Sequence, residues 1–284
     1  MNCSKADKNF FGTILEILSK GHQDKDVRPK YEDGTEAKTL FITDTHEKYD
    51  VRNGELPTNT YRKLAVKSAI NEIRVIYQLQ SNKLEDFHRY NIFWWDEFDI
   101  GDGTIGRRYG HTVRKYDLMN KLLYGLEHNP YSRRHIIDLW QYEEFEKEKK
   151  GLNPCAFQTE YAVYEEDGVY YIDMALNQRS SDFLMANSIN KIQYLALGMM
   201  ICSHLRFHTG KNWQIGTFSH HVMNVHIYDR HIEACEEIKQ RKPIQDEQVF
   251  SLPVDKDFYD ITIDDFVIDI KTNGKLESPL ELAI

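Results

Sequence analysis

Apolar residues recur at helical spacing near the start of the chain. Phe10, Phe11, Ile14, Leu15 and Leu18 share one side of residues 8–20, and Gly21 follows as a stop. Residues 22–38 are polar, with Pro29 and Asp33-Gly34, and read as a loop; the short apolar run at 39–43 reads as a strand. A second helical pattern runs from Leu64 to Gln80 through Ala69, Ile73, Ile76 and Leu79. Asp99 to Gly110 holds four glycines and reads as a loop. Tyr116 to Glu127 predicts an amphipathic helix closed by Asn129-Pro130, and His135 to Trp140 a short strand.

The clearest β pattern lies between Thr159 and Arg179. Tyr161, Val163, Val169 and Tyr171 flank Glu166-Asp167-Gly168, a hairpin turn. Residues 189–207 are apolar nearly all round, which predicts a buried helix. Residues 213–228 alternate. As a strand, 222–228 puts Asn224, His226 and Tyr228 on one face and Met223, Val225 and Ile227 on the other. The tail is polar as far as Ser278-Pro279 and ends in Leu280-Glu281-Leu282-Ala283-Ile284. There is no internal repeat, no linker and no regular βαβ alternation. The reading is one α+β domain over residues 1–284, with a mixed β-sheet flanked by helices.

Charge and cysteine usage narrow the classes. The formal net charge of −9 argues against duplex nucleic acid as a partner, while leaving room for a local basic pocket for one phosphate. Cys3, Cys155, Cys202 and Cys235 form no CxxC pair, so neither a zinc knuckle nor a disulfide framework is indicated. The N-terminal stretch from Met1 to Lys8 lacks the apolar core of a signal peptide, and no run is long and apolar enough to span a membrane. A reducing cytoplasm is the expected compartment.

Candidate chemistry centres on Cys155, in Asn153-Pro154-Cys155 just ahead of the hairpin. A reactive thiol needs thiolate character, which a nearby cation supplies. Arg179, at the hairpin's far end, is placed to fold back on it; an isolated cysteine is otherwise a small buried apolar residue. Arg28 in the first polar loop, Arg133-Arg134 at a helix-to-strand turn, and Arg179-Ser180 offer forks for phosphate oxygens, or are solvated surface charge. Adjacent Arg133 and Arg134 cannot point the same way on a strand, so one is free to face a partner subunit. Asn224, His226 and Tyr228 could grip a sugar or form an exposed edge. Glu72 sits among Ile70, Ile73 and Ile76, where partial burial would favour proton transfer. Asn190 opens the apolar helix either as a cap or as a base reader. Its amide matches the O4 acceptor and N3 donor of uracil, and flipped it would match cytosine.

Together these segments resemble thymidylate synthase over nearly the whole chain. The matching stretches are Trp95-Asp96-Glu97, Gly103-Thr104-Ile105-Gly106 through Tyr109-Gly110, Asn129-Pro130 through Ser132-Arg133-Arg134-His135, and Pro154-Cys155. They continue with Gln178-Arg179-Ser180 and Asp182, Asn190, His226-Ile227-Tyr228, Asp257 to Asp260, and Asp264-Asp265-Phe266. The resemblance implies Cys155 as nucleophile, with Glu72, Tyr109, Arg179 and Asn190 in the catalytic set. Arg28, Arg179, Ser180 and the other subunit's Arg133 and Arg134 would hold the phosphate. His226 and Tyr228 would bind the deoxyribose, and Asn190 would read the base, with Asp182 nearby. Trp95, Asp182, Ala186 and Ile284 would face the folate. It further implies a homodimer with sheets packed back to back, dUMP as substrate, 5,10-methylenetetrahydrofolate as co-substrate and no metal.

The implied chemistry adds a thiolate at C6 of the pyrimidine, makes C5 nucleophilic, and leaves a methylene that folate hydride turns into a methyl group. Water in place of hydride would give a hydroxymethyl group. The chain departs from the family pattern at Asn224 (commonly Asp), Ala186 (Gly), Ile189 (Phe), Arg62 (Lys), Ala156 (often His) and in Ile73-Arg74-Val75 after Glu72. These departures keep two alternatives open: a hydroxymethylase acting on dUMP rather than dCMP, and a nucleotide-binding family member without turnover.

Overall fold

In the computed structural model, which describes residues 3–284, the side chain of Ser4 caps the first helix by accepting the Asp7 N–H. Met1 and Asn2 of the N-terminal stretch read above lie outside the described residues. Helix α1 (Lys5–Lys20) buries Phe10, Ile14 and Ile17, leaves Leu15 exposed, and ends at Gly21. A two-residue strand, β1 (His22–Gln23), interrupts the segment read as loop. Strand β2 (Thr39–Asp50) runs for 12 residues, well past the apolar run at 39–43.

Helix α2 (Val66–Ile73) passes into a single π-turn at Arg74–Gln78, so the predicted helix is present with its last turn widened. After α3 (Leu84–His88) come α4 (Gly110–Tyr116), where the pattern predicts no helix, and α5 (Leu118–His128), which matches the helix predicted over Tyr116 to Glu127. Asp117 divides them with a left-handed φ of 52°. Then follow β3 (Ile136–Asp138), α6 (Tyr142–Lys147), β4 (Ala156–Glu166), β5 (Val169–Gln178), β6 (Ser181–Asp182) and α7 (Ser188–Thr209). The last elements are β7 (Asn212–Tyr228), α8 (Ile232–Gln240), β8 (Val249–Ser251) and β9 (Val267–Asp269). The β4–β5 turn has positive φ at both Asp167 (51°) and Gly168 (78°), as a tight hairpin requires.

The main sheet is mixed, in the order β1-β2-β7-β5-β4-β3. β7 runs parallel to β5 and β6, and the other pairs are antiparallel. Helix α7 covers one face. Its Leu195, Met200 and Ile201 are buried in one cluster with Ile172, Met174 and Leu176 of β5, Phe218 of β7 and Ile70 of α2. Each such side chain contributes roughly 1.5–3 kcal/mol by leaving water. Helix and sheet approach so closely at Gly198 that a Cβ there would lie 2.9 Å from Ile215 and 3.1 Å from Met174. A second cluster joins α1 to α8 and to Val222, Val225 and Ile227 of β7. Val222 and Val225 are both buried and Met223 is half exposed, so the strict alternation of 222–228 shifts phase at Met223-Asn224.

The opposite face of the sheet stays open in the single chain. It carries a groove of about 380 Å³ lined by Lys48, Arg133, Ile136, Glu160, Ala175 and Thr217 among others. Arg133 and Arg134 lie in the turn before β3, not on a strand, and both are exposed. No helix among the described residues is long and apolar enough to cross a membrane.

Candidate active site

Cys155 immediately precedes β4, where the pairing with β5 slips between Ala156 and Gln158. Irregular pairing of this kind re-aims side chains beside a site. The loop before it is held by buried Arg108, which donates to Asn153 Oδ1 (2.9 Å) and to the carbonyls of Glu148 (2.5 Å) and Lys150 (3.1 Å). The Cys155 N–H donates to the Tyr109 hydroxyl oxygen at 3.2 Å. Tyr109 adopts φ 48°, a strained conformation for a bulky residue at about 1–3 kcal/mol. Its ring is fixed by burial against Trp95, 5.0 Å between centroids.

Arg179 is stitched to the same loop. Its N–H bonds the Cys155 carbonyl (2.9 Å), and its guanidinium donates to the carbonyls of Pro154 (3.0 Å) and Asn153 (2.8 Å) and reaches Cys155 Sγ at 3.5 Å. Trp140 lies under the guanidinium at 5.7 Å. Burial pushes the Cys155 thiol up, while Arg179 and then Arg28 pull it down. The balance stays above the ordinary thiol value. The expected cation is therefore in place, but alone it does not outweigh burial. Arg28 acts also on the Tyr228 hydroxyl, so the structure gathers Cys155, Arg28, Arg179 and Tyr228. Arg133 and Arg134 do not join this group within the chain.

A chain of amide contacts leads to Asn190. The Ser180 carbonyl can only accept, so it draws Gln178 Nε2 toward it (3.3 Å). Gln178 Oε1 then faces His220 Nε2 (2.6 Å), and Gln178 Nε2 donates to Asn190 Oδ1 (2.9 Å). Asn190 Nδ2 in turn donates to Gln193 Oε1 (2.9 Å). Burial drives His220 down to about 3, so it is neutral. An Asn190 flip would set two donors against each other, at roughly 1–3 kcal/mol for the unmade bond.

Glu72 is fully enclosed in α2. Burial raises its carboxyl to about 7, and its oxygen accepts from Trp94 Nε1 at 2.6 Å. Trp95 Nε1 is buried beside the same carboxyl, and with Trp94 and Gln193 it pulls the Glu72 pKa down against burial. His226 Nδ1 lies 2.9 Å from Asn224 Oδ1, and burial lowers its pKa, favouring the neutral ring. Asp182 accepts the N–H groups of Leu184 (3.1 Å) and Met185 (3.0 Å), capping the π-turn Phe183–Asn187 that carries Ala186. Arg62 holds that turn from the other side through the Leu184 and Met185 carbonyls. Ile189 packs half-buried on the main core. The terminal Ile284 pairs with Lys30 in both directions (3.0 and 2.8 Å), which brings the tail to the loop of Arg28.

Residue patterns gave no sign of Trp94, Trp140, Gln193 or Arg108. Gln178 stood in the Gln178-Arg179-Ser180 stretch of the resemblance, but with no role given to it.

The family model for thymidylate synthase matches residues 8–279. The chain is 44% identical to a thymidylate synthase of Streptococcus pneumoniae over 285 residues, 99% of this chain and 100% of that protein. The chain belongs to the thymidylate synthase family. A relative from Streptococcus gordonii is 45% identical over 267 residues, 93% of each chain. The fold is similar to that of thermostable thymidylate synthase A from Bacillus subtilis, with a TM-score of 0.84 and 32% identity over 98% of this chain and 99% of that one. The mixed sheet flanked by helices is the fold that the sequence predicts.

Proposed function

We propose that this chain converts dUMP to dTMP, with 5,10-methylenetetrahydrofolate as co-substrate. The observation that carries the reading is the joining of Cys155 to Arg179, at 3.5 Å, in a chain whose full-length relatives bear the thymidylate synthase name. Cys155 Sγ adds to C6 of the uracil, and the electron pair moves toward C5 and O4. Asn190 receives the base with its amide direction held by Gln178. Glu72, with a carboxyl near neutrality, accepts and returns protons at O4 and C5, working with the Tyr109 hydroxyl. Arg28, Arg179 and Ser180 bind the phosphate; His226 and Tyr228 bind the deoxyribose.

Methylenetetrahydrofolate supplies the one-carbon unit and the hydride. The resemblance puts Trp95, buried beside Glu72, and Ala186, in the π-turn after Asp182, on the folate side. Trp95, Asp182, Ala186 and Ile284 would hold it, with the C-terminal segment helping to exclude water.

Residues 1–284 act as one catalytic domain, in a homodimer. Support for the dimer comes from the open sheet face, with Ile136 about half exposed on it, and from the exposed Arg133 and Arg134 at its margin. Back-to-back packing of two such faces would carry both arginines to the partner's phosphate. A cytoplasmic location accords with the four free cysteines.

The reaction is tested by incubating the protein with dUMP and methylenetetrahydrofolate and weighing the products. The expected products are dTMP and dihydrofolate. Hydroxymethyl-dUMP with tetrahydrofolate would overturn the reading in favour of water capture at the Ala186–Ile189 side.

A further inference from the structure

We propose that Glu127, His204 and His208 bind one zinc ion, with water in the fourth position, apart from the Cys155 site. His204 and His208 stand four residues apart on α7 and therefore share a face of the helix. Glu127 comes from the last turn of α5. One ligand atom from each of the three residues lies within 4.8 Å of the others. The His204 side chain is 6% exposed, while His208 (39%) and Glu127 (20%) have room to close on an ion at zinc-ligand distances of about 2.0–2.2 Å.

A further carboxylate, that of Asp257, contacts a ring nitrogen of each histidine. Asp257 Oδ2 lies 2.7 Å from His208 Nε2 and 3.2 Å from His204 Nδ1. His204 Nε2 now contacts Glu127 Oε1 at 2.7 Å, and its Nδ1 accepts the Phe258 N–H at 3.1 Å. An ion taking Nε2 moves the ring proton to Nδ1, where Asp257 accepts it in place of the Phe258 contact. Carboxylates orient metal-bound imidazoles in this way. Two imidazoles with one carboxylate suit zinc, whereas magnesium and calcium prefer oxygen ligands alone.

The ion would tie α5, α7 and the segment at Asp257 together. The Phe258 and Ile261 carbonyls accept from Gln78 (2.5 and 2.9 Å), in the π-turn that extends the helix of Glu72. His204 stands about 21 Å along α7 from Asn190, so the ion braces the scaffold and does not enter the reaction.

The test uses the full chain with Cys3→Ser and Cys155→Ser, which removes the two thiols that are not fully buried, after treatment with a chelator. Zinc chloride is titrated by calorimetry and thermal unfolding, and cobalt(II) by visible absorption. The expected result is one zinc per chain, a raised Tm, and at least about tenfold weaker binding in both His208→Ala and Glu127→Gln. Magnesium should give no shift. Absence of stoichiometric zinc binding, or affinity unchanged by both substitutions, would overturn the proposal.

Discussion

Two glutamates drawn away from water behave in opposite ways. Glu72, in α2, has burial pushing its carboxyl up to about 7 and no cation beside it; its partners are neutral, the Trp94 indole with Gln193 and Trp95. Glu47, in β2, is only partly buried, its side chain 11% exposed, and loss of water alone would push it up. Lys191 at 2.8 Å and a bond from the Tyr49 hydroxyl hold it below the usual carboxylate range instead. Burial alone does not mark a working carboxyl. The missing counter-charge does, because it leaves the proton easy to move near neutral pH. The Glu47–Lys191 pair serves differently: Lys191 follows Asn190 and anchors the start of α7.

The contrast is sharpened first by Glu72→Gln. Loss of a general acid–base group should lower kcat by about 10²–10⁴-fold while the variant stays folded, as steady-state kinetics and thermal unfolding would record. Activity within a few-fold of wild type would place Glu72 with Glu47 as a structural residue. Next, Lys191→Met strands the Glu47 carboxylate and should cost about 3–5 kcal/mol in denaturant unfolding, and Glu47→Gln added to it should recover most of that loss. A loss below about 1 kcal/mol would dissolve the distinction between the two sites.

Stability against pH gives a third test of similar size. The folded pKa of Glu72 stands above its ordinary value of 4.5, so its contribution is complete below about pH 4.5 and is lost as pH rises through 7. Measured against Glu72→Gln, the wild type should lose on the order of 3 kcal/mol between pH 4.5 and 8. A flat difference would mean that the carboxyl titrates normally. The smallest effect is expected from Trp94→Phe, which removes a bond to the charged form of Glu72. It should raise the Glu72 pKa further and cost about 1–2 kcal/mol in kcat/KM, with KM for dUMP little changed.

Local pattern was enough wherever one residue's neighbours in sequence set its role. Asp167-Gly168 specified the hairpin, the apolar run at 189–207 specified the central helix, and the separated motifs placed Cys155 beside Arg179. Local pattern failed where distant parts decide. The far end of β2 is polar on its open face, with His46 and Lys48 exposed, so its length did not register as apolar alternation. Helix α4 carried no signal because it follows a glycine-rich stretch and left-handed Asp117 cuts it off from the amphipathic pattern of α5. Trp94 meets Glu72 from 22 positions away, and the Ser180 carbonyl that orients Gln178, His220 and Asn190 is a backbone group without a signature. The net rise of the Cys155 thiol likewise depends on burial contributed by the whole fold.

The most direct measurement is the pH dependence of kcat/KM for dUMP in wild type and Glu72→Gln, since kcat/KM reports the groups of the free enzyme. The account predicts a titration step near pH 7 in the wild type that disappears in Glu72→Gln and persists in Glu47→Gln. A step that survives unchanged in Glu72→Gln would contradict it.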